Sequence, residues 1–360
     1  MTFEDVLEIK NGKNQRAVEN PNGKYPIYGS GGIMGYADNY ICNANTVIIG
    51  RKGNINKPIF VDVPFWNVDT AFGLEAKKEL LLPRYLYYFC LRYDFERLNK
   101  AVTIPSLTKT DLLKIDIDIP KIDTQTTIVD RLGKIEQIIS LRNNQLRLLE
   151  NLIKARFVEM FGDESNPYQW PVISVEDVAN VSVGVVIKPA QYYTDAEHGI
   201  KAFRSLNIGP MTIKDGDWVY FSNEGNDKNA KSQLKENDLL IVRSGAPGTA
   251  CVVPKQYEGC NAIDIIIARP NTKQINPYYL CTYTNMPHGK RQIEEGTGGA
   301  AQQHFNVGKY NKLRLMLPPM SLQKAFVDFI AQVDKSKAQV QKALDETQLL
   351  FNSLMQEYFG

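Results

Sequence analysis

The sequence predicts an α+β fold: two globular β-rich domains separated by two long antiparallel helices that form a coiled coil, repeated about a pseudo-two-fold axis. Three observations carry this expectation. First, residues 120–162 recur as residues 318–360 at a constant offset of 198. Lys114 matches Lys312, Gln125 matches Gln323, Val129-Asp130 matches Val327-Asp328, and Glu159, Phe161 and Gly162 match Glu357, Phe359 and Gly360. A gapless repeat of this length is one supersecondary unit used twice. Second, both copies carry apolar residues at spacings of three, four and seven, a helical stripe close to a coiled-coil seam. Third, the segments between them are rich in short β-branched runs bounded by Gly, Pro or Asn, which read as strands.

The helices are the clearest elements of the sequence. The seam is expected at Ile135, Ile138, Leu146, Leu149 and Leu152 in the first copy, and at Val333, Val340, Leu344, Phe351 and Leu354 in the second. Each copy starts after a proline and contains none inside. Residues 124–160 alone give a rod of about 55 Å. A single helix with one apolar stripe is not stable in water. The two stripes therefore bury each other, antiparallel, because each helix must return to its own globular part.

The repeat continues into the globular parts, with gaps. Residues 3–6 echo 175–178 at offset 172, 49–53 echo 241–245 at 192, and 83–86 echo 277–280 at 194. Insertions thus fall in the heads and not in the helices, as expected of a rigid frame holding two divergent readers. The domains are read as 1–119 for the first head, 120–162 for its helix, 163–317 for the second head and 318–360 for the second helix. Strands are expected at 46–49, 58–61, 239–242, 251–253 and 263–267. Short helices opening on proline are expected at 81–97 and 277–286.

Composition excludes several classes. With 43% hydrophobic and 23% charged residues the chain is ordinary globular protein, with no run of the ~20 apolar residues a membrane span needs. The start lacks the basic and apolar regions of a signal peptide, so a cytoplasmic protein is expected. The five cysteines form no CxxC and read as buried, reduced thiols. A net charge of +2 is small for a nucleic-acid binder, so binding must rest on local clusters or on a partner's positive surface.

Catalytic chemistry is missing. Gly12-Lys13 and Gly308-Lys309 lack the rest of a P-loop, no G-x-S-x-G elbow occurs, and His198, His288 and His304 lie apart from one another and from the cysteines. No catalytic residue, metal site or bound cofactor is expected in this chain. A duplicated frame with a pseudo-two-fold axis suits a two-part ligand, and duplex DNA is the commonest one.

Three features are suited to reading DNA. Residues 25–36, Y-P-I-Y-G-S-G-G-I-M-G-Y, mix aromatics with glycines that let a backbone approach phosphate; Tyr28, Ser30, Gly31, Gly32 and Tyr36 are the candidates. Arg51 and Lys52 follow a strand and have Arg243 and Ser244 as counterparts, where a basic residue beside glycine can reach phosphate or a guanine edge. The third feature precedes each long helix. It holds Ser106 and Lys109 in the first head and Gln302, Gln303, His304 and Asn306 in the second, types that pair with adenine or phosphate. Lys290 and Arg291 form one further basic cluster. Ordinary turns, helix caps and solvated charges are the competing readings for each.

The ordered pattern resembles the specificity subunits of type I restriction–modification systems. The residues carrying the likeness are Y-P-I-Y-G-S-G-G-I-M-G-Y, the segment I-P-S-L-T-K-T-D-L-L-K-I-D-I-D-I-P leading into the first long helix, and the second pass ending L-P-P-M-S-L-Q-K-A-F-V. The resemblance implies two target-recognition domains, each reading one half of a split, asymmetric site on double-stranded DNA, with the helices setting the spacing. It implies no catalysis in this chain. It also implies two methyltransferase subunits using S-adenosylmethionine, restriction subunits driven by ATP with Mg, and methyltransferase docking on outward helix residues such as Arg131, Lys134, Arg142, Arg147, Lys335 and Lys342. The rival reading is a pseudo-symmetric binding protein for a glycan or peptide with a coiled-coil spacer.

Overall fold

The computed structural model describes residues 1–99, 104–297 and 305–360. The chain divides into two compact units, one of residues 1–145 with 340–360 and the other of residues 146–339. The division falls inside the long helices, because each unit holds one head together with parts of both.

The long helices are Ile122–Phe161 and Met320–Phe359, 40 residues each and in register at both ends with the 198 offset. Each is followed by a glycine at positive φ, Gly162 at 84° and Gly360 at 90°. Their amides donate back to Val158 and Gln356, the left-handed C-cap that glycine adopts without a Cβ penalty. The helices pair antiparallel within each unit. In the first, Arg131 meets Tyr358 and Arg142 meets Thr347 and the Ala343 carbonyl. In the second, Glu150 meets Lys337, Arg156 lies over Phe329 and Phe161 packs on Phe326.

The seam is narrower than the sequence reading drew it. Ile135 and Val333 are buried and Leu146, Leu149, Val340, Leu344, Phe351 and Leu354 are half-buried, but Ile138 and Leu152 are 41% and 46% exposed. The buried and half-buried positions run 135, 139, 142, 146, 149 and 153, alternating steps of four and three. Ile138 and Leu152 belong to a second apolar stripe one residue out of phase, with Leu141 and Leu148, both largely exposed. Two heptad stripes on one helix cannot both face one partner. Arg142, expected on an outward face, stands at a seam position and bonds across it to buried Thr347. A polar contact inside an apolar seam fixes register.

The heads share one sheet, strand for strand. In the first its order is Leu7–Asn11, Ala71–Ala76, Thr46–Gly50, Ile59–Val61; in the second it is Ala179–Val183, Ile265–Pro270, Leu239–Val242, Ala250–Val252, all antiparallel. The register also repeats. Leu7 opposes Ala76 as Ala179 opposes Pro270, Val47 opposes Leu74 as Leu239 opposes Ala268, and Ile48 opposes Ile59 as Leu240 opposes Cys251. The central strands are buried end to end, which is why they read as unbroken β-branched runs. The heads diverge where the offset rises from 172 to 192. There the second head adds the hairpin Ile208–Gly209 with Thr212–Ile213 and the helix Asn223–Lys228.

Each head grips the start of one long helix and the end of the other. Gln125 is fully buried; its amide donates to the carbonyls of Leu80 and Pro120, and its carbonyl accepts from the Leu82 amide. Gln323 repeats this with the Pro318 carbonyl and the Asn276 amide. At the other end Phe359 packs on Tyr85 at 5.0 Å in the first unit, and Phe161 on Tyr279 at 4.9 Å in the second. All five cysteines are buried and free, and burial pushes the thiols of Cys42 and Cys251 up to about 12. Among the described residues no helix is long and apolar enough to cross a membrane.

Candidate nucleic-acid interface

Three segments far apart in sequence meet on one face of the first head. The hairpin Tyr25–Gly29 with Gly32–Ala37 turns at Ser30, whose hydroxyl donates to the Lys52 carbonyl at 3.5 Å. Lys52 bridges to Ser106, the Gly53 amide donates to the Pro105 carbonyl, and the Leu107 amide donates to the Arg51 carbonyl. Gly50 permits this crossing. A Cβ there would lie 2.4 Å from the Asn54 carbonyl oxygen and 3.1 Å from the Ser30 Cβ. The side chains of Arg51 and Lys52 are exposed, the guanidinium 5.6 Å over the Phe72 ring. Gly31 is exposed beside them and Gly32, at φ 121°, completes the turn in a region closed to other residues.

The remaining first-head candidates divide. Tyr36 is 43% exposed on the same hairpin. Tyr28 is half-buried edge-on to Phe65, and burial raises its hydroxyl pKa. Ser106 is half-buried and its amide is held by the Asn99 side chain. Lys109 turns inward and donates to the Ile9 carbonyl at 2.9 Å, so its ammonium secures the head.

The second head repeats the crossing and uses it differently. The Phe305 amide donates to the Arg243 carbonyl as Leu107 does to Arg51. The Arg243 guanidinium, however, is only 15% exposed. It pairs with Asp264 and donates through Nε to the Phe305 carbonyl. Unlike Arg51, Arg243 thus has its charge paired with a carboxylate of its own head. Ser244 beside it is half-buried. Asn306 is exposed, and its side chain caps the helix Val307–Asn311 by accepting from the Lys309 amide. Gln302, Gln303 and His304 lie outside the described residues.

Lys290 and Arg291 sit together in sequence but serve separate contacts. Lys290 is half-buried, its ammonium reaching the Thr249 hydroxyl at 3.2 Å, and burial lowers its pKa. Arg291 pairs with Glu164 at 2.7 Å. Neighbouring His288 is 7% exposed, wedged between Phe157 and Tyr283, with Nε2 buried and without a hydrogen-bond partner. Burial holds its pKa below the usual value, against the pull of Glu164 and Asp163.

Sequence reading also passed over some residues. Ile33 and Met34, 56% and 61% exposed, stand on the hairpin beside Ser30, and Leu141 and Leu148 stand outward on the first long helix. The helical pair was legible as a second three-four spacing running one position off the seam.

A family model for the type I restriction modification DNA specificity domain matches residues 1–151 and again 154–347. The chain belongs to that family. As a specificity subunit it recognises DNA sequence and is non-catalytic by itself; the family's catalytic activity lies in partner subunits. It is similar to the type I restriction enzyme MjaVIII specificity subunit of Methanocaldococcus jannaschii, with 20% identity over 84% of this chain and 74% of the relative. It is likewise similar to the EcoBI specificity subunit of Escherichia coli, with 20% identity over 94% of this chain and 77% of the relative. Its fold matches the crystal structure of the S subunit from M. genitalium at a TM-score of 0.63 and 16% identity, over 100% of this chain and 95% of that one. A chain from a structural study of complex assembly and conformational transition in the type I system matches at 0.61, with 15% identity over 100% and 96%. The specificity subunit works in a complex with methyltransferase and restriction subunits and binds DNA.

Proposed function

We propose that the specificity subunit reads a split, asymmetric site on double-stranded DNA, one half with each head, and that the first head reads through the face where residues 30–32, 51–53 and 105–107 meet. The convergence of these segments on Lys52 carries the reading: exposed cations and a glycine turn are joined in one surface. Such a surface supplies phosphate contacts for position and side chains for base edges. The second head keeps the same crossing but neutralises its arginine, so the two heads read different half-sites.

Two methyltransferase subunits dock on the exposed helix stripe, Ile138 and Leu141 in the first unit and Leu148 and Leu152 in the second. An apolar stripe left open on a paired helix is suited to a partner helix. S-adenosylmethionine, ATP and Mg act on the methyltransferase and restriction partners, in the cytoplasm. The small net charge leaves part of the phosphate contact to those partners, so the isolated chain binds DNA weakly and loses it steeply with salt.

Mapping methylated bases genome-wide, with and without this gene, tests the reading. The expected result is one non-palindromic motif of two unlike halves that disappears with the gene. A palindromic motif, or unchanged methylation, overturns it.

A further inference from the structure

Adjacent residues of a regular strand point to opposite faces. Ile33 and Met34 are adjacent on the strand Gly32–Ala37, yet both point into solvent. The hairpin register explains this. Ile27 opposes Gly35 and Tyr28 opposes Ile33, so Met34 is the unpaired residue of a β-bulge. A bulge re-aims a side chain and recurs where a strand meets a ligand. Here it turns two large apolar side chains out together at the tip of a hairpin.

The surroundings specify the occupant. Ser30, three residues before Ile33, bonds to Lys52, and exposed Arg51 and Lys52 border the tip. A protein partner would be met by a broad apolar patch; a narrow apolar point beside cations is suited to a polyanion with stacked apolar faces inside. Ile and Met are among the side chains that enter between base pairs and unstack them. We infer that Ile33 and Met34 form a wedge that enters one base step of the half-site read by the first head, so that this head reads the deformability of that step as well as its edges. The inference rests on the proposed interface and adds to it a specificity determinant.

The test uses the complex of this chain with its methyltransferase partners on a duplex carrying the mapped site, with 2-aminopurine placed at each position in turn. The expected result is a several-fold rise in fluorescence at one step of one half-site on binding. That rise falls to the free-duplex level in the Ile33→Ala/Met34→Ala chain, while signals elsewhere and the melting temperature stay unchanged. If every signal survives in the double variant, the wedge is overturned. The same holds if the variant loses its methyltransferase in gel filtration, since the tip is then a protein contact. Lys52→Ala serves as the separate control for the face itself. A salt slope of DNA binding reduced by about 1 supports the interface; an unchanged slope overturns the interface, and the wedge with it.

Discussion

Arg51 and Arg243 occupy the same place in the two heads. Each follows the second central strand, and each offers its carbonyl to the amide of the residue that leads toward a long helix, Leu107 or Phe305. Arg51 keeps its guanidinium in solvent, whereas Arg243 buries its own against Asp264 and the Phe305 carbonyl. The difference lies in one neighbour. The second head places a carboxylate at residue 264, held at positive φ 51°, within reach of the arginine. A repeat can thus conserve a backbone crossing residue for residue while converting its charge from a surface tool into an internal strut. Duplication fixes where a side chain starts; the residue at a matching neighbour, Thr70 in one head and Asp264 in the other, decides what it does.

Matched substitutions in the two heads separate their roles. The largest effect is expected at the buried glutamines that anchor the helix starts. Gln125→Ala leaves the Leu82 amide and two carbonyls unpaired and costs about 3 kcal/mol; Gln323→Ala, with fewer partners, costs about 2. Urea midpoints of the two variants should fall in that order, and equal shifts would show that the anchors are equivalent. Next comes the arginine pair. Arg243→Ala is expected to cost about 2 kcal/mol, because a charge-assisted contact is lost inside the head. Arg51→Ala stays within about 0.5 kcal/mol, as for other surface changes, while weakening DNA binding. Equal melting temperatures for the two variants would remove the distinction between strut and tool.

A smaller effect depends on pH and belongs to one unit only, since all three histidines lie in residues 146–339. The folded pKa of His288 is depressed by burial. Its contribution to stability is therefore present above the unfolded value near 6.5 and is lost as pH falls from there toward the folded value. The slope is at most about 1.4 kcal/mol per pH unit. Hydrogen exchange should show the core of the second head loosening between pH 7 and 5, with the first head unmoved, and His288→Gln should flatten the response. A first head that loosens in step would place the cause elsewhere.

The helices were legible because they follow from periodicity, and the constant offset located both ends; five strands of the two central sheets lie where β-branched runs placed them, whereas Leu7–Asn11, Ala71–Ala76 and Ala179–Val183, mixed with polar residues and glycine, went unread. What sequence alone could not separate were two apolar stripes one residue apart. Ile138 and Leu152 satisfy a three-four spacing as well as Ile139 and Ile153 do, and only the paired helix distinguishes them. In the interface, the hairpin and Arg51-Lys52 could be read from glycine and charge, but their meeting at Ser106 is a long-range contact with no local sign. Asn306 illustrates the opposite case. A polar residue three before the amide it caps is a local pattern, yet its chemistry also fits a base edge, and the cap took precedence. Arg243 was unreadable because Asp264, 21 residues on, looks like any strand-end aspartate.

The reciprocal grip of heads on helices sets a rule for transplanting specificity. The hydrophobic core of residues 1–119 is closed in part by Met355, with Phe351 and Phe359 packed against it, side chains encoded more than 200 positions downstream. A graft cut at the head's own borders leaves those three behind. The donor head would then meet whatever aromatic set the recipient's last helical turns provide. Exchange of heads between relatives should succeed when those closing turns match or travel along, and should otherwise yield chains that misfold before their DNA preference can be assayed.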